Sequence, residues 1–151
     1  MATTLQWVAP DTLASILTTE LDALANSTTD TTGFSALSSE INNESGLFQY
    51  IDLELRLSTQ GGARSAGGWV GIFIAAAVDN TPTYPADSIA SLVIPLAAFQ
   101  FDAATTARIL TVFNIPIPPL KFKVQAWNKT GQAFGATTNI LKYRRHNEQG
   151  V

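Results

Sequence analysis

One histidine and no cysteine narrow the covalent chemistry open to this chain. His146 stands beside Arg144 and Arg145 in a polar C-terminal stretch, without the enclosure and second partner that orient a general base, and reads as a tail histidine. Ser-His and Cys-His catalysis and most transition-metal sites therefore lack participants. Asp52 and Glu54 lie two apart on an expected strand and so share a face. Paired carboxylates hydrolyse glycosides across a cleft, but neighbours on one exposed face pair with cross-strand Lys or Arg, and that is the expectation here. Asp79, Asn80 and Asp87 offer oxygen ligands without the dense spacing of a calcium loop. Gly61-Gly62 and Gly67-Gly68 lack the Gly-Lys-Ser/Thr ending of a phosphate loop, so residues 60–68 read as a hairpin turn. Lys121, Lys123, Lys129, Lys142, Arg144 and Arg145, interleaved with Trp127 and Tyr143, form the basic cluster. A pI near 4.9 argues against a nucleic-acid groove, and lysines also guard sheet edges. No catalytic, cofactor or metal site is expected.

The elements that would position these residues are strands. Phe122, Val124 and Ala126 alternate with Lys121, Lys123 and Gln125, the period of two that separates sheet faces. Asn128-Lys-Thr-Gly131 is turn-rich and a second strand is expected over residues 138–143, so the block reads as a hairpin closing a β-sandwich. Ile51, Leu53, Leu55 and Leu57 alternate with Tyr50, Asp52, Glu54 and Arg56, giving one buried and one wet face. Residues 69–78 are apolar on both parities, as in a strand covered on both sides. Two prolines make 79–87 a loop; 89–96 and 107–114 are further strands, with 98–102 a short strand or turn. The prolines of 115–119 require an extended edge or corner.

Upstream, Asp11 is placed to cap a helix carrying Leu13, Ile16, Leu17, Leu21 and Leu24 on one face and ending near Asn26. Its other face has acids and no cation, which disfavours an anionic membrane surface. Residues 26–46 suit a long surface connection. The expected fold is all-β: an antiparallel, jelly-roll-like β-sandwich with one short N-terminal amphipathic helix. Residues 1–46 form arm, helix and connecting loop, and 47–151 the sandwich, in one domain.

The N-terminus lacks a positive region followed by an apolar run, and no uncharged apolar run reaches ~18 residues, so neither a signal peptide nor a membrane span is expected. Asn26, Asn43 and Asn128 head glycosylation-like triplets but read as loop residues. Residues 1–55 hold eight acids and no Lys or Arg, whereas the remainder holds nine cations and four acids. Such asymmetry favours oriented packing of copies, or else is simply solvated surface.

The leading amphipathic helix, Phe48-Gln-Tyr-Ile-Asp-Leu-Glu-Leu55, the loop 79–85, Ile117-Pro-Pro-Leu-Lys-Phe-Lys123, Asn128-Lys-Thr-Gly131, Asn139-Ile-Leu-Lys-Tyr143 and the closing Asn147-Glu148 together resemble a group of tailed-bacteriophage virion structural proteins. The resemblance covers most of the chain and implies a virion component rather than an enzyme. Within the virion it fits a capsid decoration or cement protein, made in the host bacterial cytoplasm and bound to the capsid surface. The implied partners are the major capsid protein and further copies of the chain in a homo-oligomer such as a trimer, with no nucleic acid and no membrane. High apolar and low charged content, 46% against 14%, suits burial between subunits. The expected contact residues are Trp7, Leu13 and Leu17 with the basic patch Lys142, Arg144 and Arg145. The alternatives are a neck or tail protein, or a carbohydrate-binding adhesion module using Trp69, Tyr84 or Trp127 as stacking platforms.

Overall fold

The computed structural model describes residues 5–7, 9–29, 31–77, 84 and 94–150, with backbone alone at 5–7 and 149–150. Asp79, Asn80 and Asp87 of the expected loop, and residues 89–93 of the strand expected after it, lie outside the described residues.

Alternation decides which side chains turn inward. In β4 (Tyr50–Leu57), Ile51, Leu53, Leu55 and Leu57 are at most 2% exposed, while Tyr50, Asp52, Glu54 and Arg56 take the other face. β8 (Lys121–Lys129) buries Phe122, Val124 and Ala126 by the same rule. β5 (Trp69–Ala77) sends Val70, Ile72 and Ile74 to the core, and Trp69 and Phe73 of its other parity pack with Trp127. The remaining strands are β1 (Leu5–Trp7), β2 (Ala14–Leu17), β3 (Ile41–Asn42), β6 (Ile94–Gln100), β7 (Arg108–Pro116), β9 (Ile140–His146) and β10 (Glu148–Gly150).

Two four-stranded antiparallel sheets, ordered β2-β9-β4-β7 and β3-β8-β5-β6, enclose one apolar core. From β2 to β9 the chain changes sheet at every step except β5 to β6, which is the wrapping of a jelly roll. β1 and β10 form a separate two-stranded ribbon that joins the two ends of the chain.

Four expectations are corrected. No α-helix follows Asp11: Ala14–Leu17 is a strand on the edge of β9, followed by a 3-10 turn at Thr19–Leu21. The acidic stretch has no cation for i,i+4 pairing, whereas β9 offers a row of backbone donors and acceptors. A bulge between Ser15 and Leu17 puts the consecutive Ile16 and Leu17 both into the core, which imitates helical spacing. Asp11 caps no helix; its amide donates to the Arg145 carbonyl at 2.8 Å. The sandwich also begins before residue 47, since β2 and β3 are its outer strands. Finally, neither 60–68 nor 128–139 closes a hairpin. Both connect strands of opposite sheets, β4 to β5 and β8 to β9. Gly131 suits the second crossing, because its φ of 87° is in the left-handed region and a Cβ there would collide with the Ser65 side chain.

Candidate functional site

The outer face of the β2-β9-β4-β7 sheet brings the two ends of the chain's charge together. Register sets Asp52 opposite Arg144 and Glu54 opposite Lys142. Asp52 accepts from the Arg144 guanidinium at 3.0 Å and from the Asn114 amide at 3.0 Å, and its Oδ1 lies 3.1 Å from His146 Nε2. The Asn114 amide is aimed there by a bulge, where Phe113 and Asn114 together oppose Asp52 and Asn114 adopts φ 56°. Burial pulls the Asp52 carboxyl upward, but the Asn114 amide, Arg144 and His146 together hold it below its ordinary value. His146 is not a solvated tail residue: it is buried in β9 with Tyr50 stacked on its ring at 5.5 Å. Asp52 thus serves as the ion-pair partner of Arg144.

On the opposite side of β9, Arg145 donates to Asp11 at 2.6 Å and to the Asn42 carbonyl at 2.7 Å, and its guanidinium lies 4.6 Å from the Phe48 ring centroid. The Arg145 hydrogen bond holds the Asp11 carboxyl below its ordinary value, against burial. Two acids of the N-terminal segment, Asp11 and Asp52, thus pair with two cations of the C-terminal segment, Arg145 and Arg144, within one chain. Folded-state pKa values below the unfolded ones give stability that is complete above about pH 5 and lost progressively as pH falls through the unfolded and then the lowered values. The urea midpoint is therefore expected to hold from pH 7 to 5 and fall below pH 4. Asp52→Asn should make that fall shallower and cost about 1–3 kcal/mol at pH 7.

Of the expected contact residues, Leu17 is fully buried in the core and unavailable to a partner. Arg144 and Arg145 are committed to Asp52 and Asp11. Lys142 is half-buried between Glu54 and Ser15 across its strand. Trp7 lies in β1 opposite Glu148, and its side chain is outside the described residues. Leu13 remains exposed at 53%, beside Phe113 at 61%, and the two line a pocket of ≈ 170 Å³ with Asp52, Glu54, Thr111 and Arg144. The Asp52–Arg144 pair is thus bordered by the exposed apolar side chains of Leu13 and Phe113.

The outer face of the other sheet carries an aromatic cluster. Trp127 stacks on Phe34 at 4.9 Å, meets Trp69 edge-on at 5.4 Å, has Lys129 Nζ 4.2 Å from its centroid and donates Nε1 to the Thr32 carbonyl. Tyr84 donates to Glu40 at 2.8 Å with Lys123 Nζ 4.8 Å from its ring centroid. Both rings are engaged within the chain. Trp69 instead borders an open depression of ≈ 410 Å³ with Gly67, Ala98 and Gln100.

The most demanding polar groups include Asn43 and Asn128, expected to be loop residues but fully buried, Asn128 within β8. Buried Asn128 donates to the Leu24 and Gln132 carbonyls and accepts from the amide and hydroxyl of Thr130. Buried Asn139 accepts from the amide and hydroxyl of Ser58 and donates to Asp22 and the Gly135 carbonyl. Asn43 likewise ties Phe48 to Pro118. These asparagines fasten the crossings between sheets. Arg64, the one charge in the glycine-rich 60–68 stretch, has no exposed side-chain surface. It donates to Gln60 and to the Thr106 carbonyl, with Phe101 beneath its guanidinium. Its isolation among small residues was the available signal.

Among the described residues, no three or more His, Cys, Asp and Glu are grouped to hold a metal ion, and no helix is long and apolar enough to cross a membrane. No protein-family model matches the chain, and no curated protein matches it.

Proposed function

We propose that this chain is a non-enzymatic structural protein of a tailed-bacteriophage virion, a decoration protein that binds the outside of the capsid and stabilises it. The observation that carries the reading is how the polar side chains are used. Asp52, His146, Arg144, Asp11 and Arg145 hold strands to one another, leaving Leu13, Ile109 and Phe113 exposed on the sheet that those pairs stiffen. A rigid sandwich presenting apolar side chains around satisfied charges suits docking onto a protein lattice. The sequence resemblance points to the same role, with the major capsid protein as partner and the capsid surface as location.

The test is co-sedimentation of the purified chain with capsids that lack it, expected to saturate at a fixed ratio to the shell protein. The β1–β10 ribbon belongs to neither sheet, so removing residues 1–10 should weaken shell binding at least tenfold while the sandwich keeps its circular dichroism. Full binding by the truncated chain would remove the N-terminal arm from the reading, and no binding by the intact chain would remove the capsid.

A carbohydrate-binding module is the second reading, supported by Trp69 alone, because its ring borders an open depression with the Gln100 side chain beside it. A glycan array is expected to show no binding under the first reading. Binding that Trp69→Ala abolishes would favour the second.

A further inference from the structure

We infer that β7 is a self-association edge, through which two copies of this chain pair antiparallel about Thr111 and join their β2-β9-β4-β7 sheets into one. The sandwich has four outer strands, and three are unsuited to pairing. β2 has four residues and a bulge, β3 has two residues, and β6 carries Pro95 and a register shift. β7 is nine residues long and pairs only with β4 among the described residues. From Ile109 to Phe113 it has no charge, no proline and no glycine, and its bulge lies beyond this stretch at Asn114. Natural edges of that length are ordinarily guarded by lysine, proline or a bulge in the middle.

The occupant is a second copy because the stretch Ile109-Leu-Thr-Val-Phe113 complements itself. An antiparallel pair centred on Thr111 sets Ile109 of one copy opposite Phe113 of the other, twice, on the outer face. Leu110 then meets Val112 twice on the core side. Ile109 and Phe113 are 58% and 61% exposed, and Leu110 and Val112 are only partly buried against the core. Aromatic–β-branched pairs are among the favourable cross-strand pairs. Flanking charge does not oppose the approach, since the register sets Arg108 opposite the uncharged Asn114 of the other copy and Arg108 is paired with Asp102, a carboxylate it shares with Arg64. Such pairing is isologous, so the assembly is a two-fold dimer rather than a three-fold trimer. A five-residue edge covers less than the ~1,200 Å² of a standard interface, placing it among weak, concentration-dependent contacts. The inference does not depend on the virion reading.

Sedimentation equilibrium of the full chain from about 5 µM to 1 mM is the test, a range that brackets weak association. The weight-average mass is expected to rise from 16.1 kDa toward twice that value. Thr111→Lys places two ammonium groups at the dyad and should hold the mass at the monomer value with an unchanged urea midpoint. Thr111→Cys supplies a second reading in a chain without other cysteines. Mild oxidation should cross-link it at least tenfold faster than Ser15→Cys on the opposite edge. Monomer at every concentration, a dimer that survives Thr111→Lys, or equal cross-linking at both cysteines would each overturn the inference.

Discussion

Asn128→Asp is expected to lower the unfolding free energy by about 3–5 kcal/mol at pH 7, from the loss of two buried donor bonds and the burial of a carboxylate against carbonyls. The substitution keeps the side chain's shape and changes one atom. Nδ2, which donates to Leu24 and Gln132, becomes an oxygen facing those same two carbonyl oxygens. The site is closed to water, so the variant must bury a charge without a partner or keep the carboxyl protonated. Its folded pKa is then raised above the unfolded value. The protonated form favours the folded state at low pH, and the deficit grows as pH rises through the carboxyl range. Urea unfolding at pH 5 and pH 8 separates the cases. A smaller loss at pH 5 supports the account, and a loss under 1 kcal/mol at pH 8 would mean that the fastening at this crossing has been misread.

The second large effect belongs to β8. Phe122 has no exposed surface and lies between Ile41 of β3 and Ala76 of β5 in register. Phe122→Ala should cost about 3–5 kcal/mol through lost burial and the cavity left behind. Its neighbour Lys121 points to the other face, so Lys121→Ala should stay within about 0.5 kcal/mol. Comparable losses at both positions in denaturant titrations would contradict the assignment of faces.

That contrast marks what was legible in the sequence. A period of two is a local property, so the buried faces of β4 and β8 could be read directly from Ile51 to Leu57 and from Phe122 to Ala126. β5 was legible for a related reason: both parities are apolar because the core lies on one side and the Phe34–Trp127 cluster on the other. Which sheet a strand joins is not local. Turn residues at 60–68 and 128–131 announce a change of direction, but they do not distinguish a hairpin from a crossing, and both are crossings. The stretch after Asp11 misled because a bulge brings Ile16 and Leu17 to the same side, reproducing the spacing of a helix face.

The site was less legible than the fold, because its partners are far apart in sequence. Arg144-Arg145-His146 looks solvated when read alone, but Asp52 and Asp11, 94 and 134 residues upstream of His146 and Arg145, turn it into the seam of one sheet. The same wrapping commits four of the asymmetrically placed charges, Asp11, Asp52, Arg144 and Arg145, to pairs within the chain. Apolar exposure along β7 depended on that strand being an edge, which only the sheet order reveals.

The central proposal, a decoration protein on the capsid, is tested most directly by quantitative mass spectrometry of purified virions, with the copy number of this chain measured against the major shell protein. The account predicts a ratio near that of the shell protein, or a simple fraction of it set by lattice symmetry. A handful of copies would move the protein to the neck or tail, and its absence from purified particles would contradict the proposal.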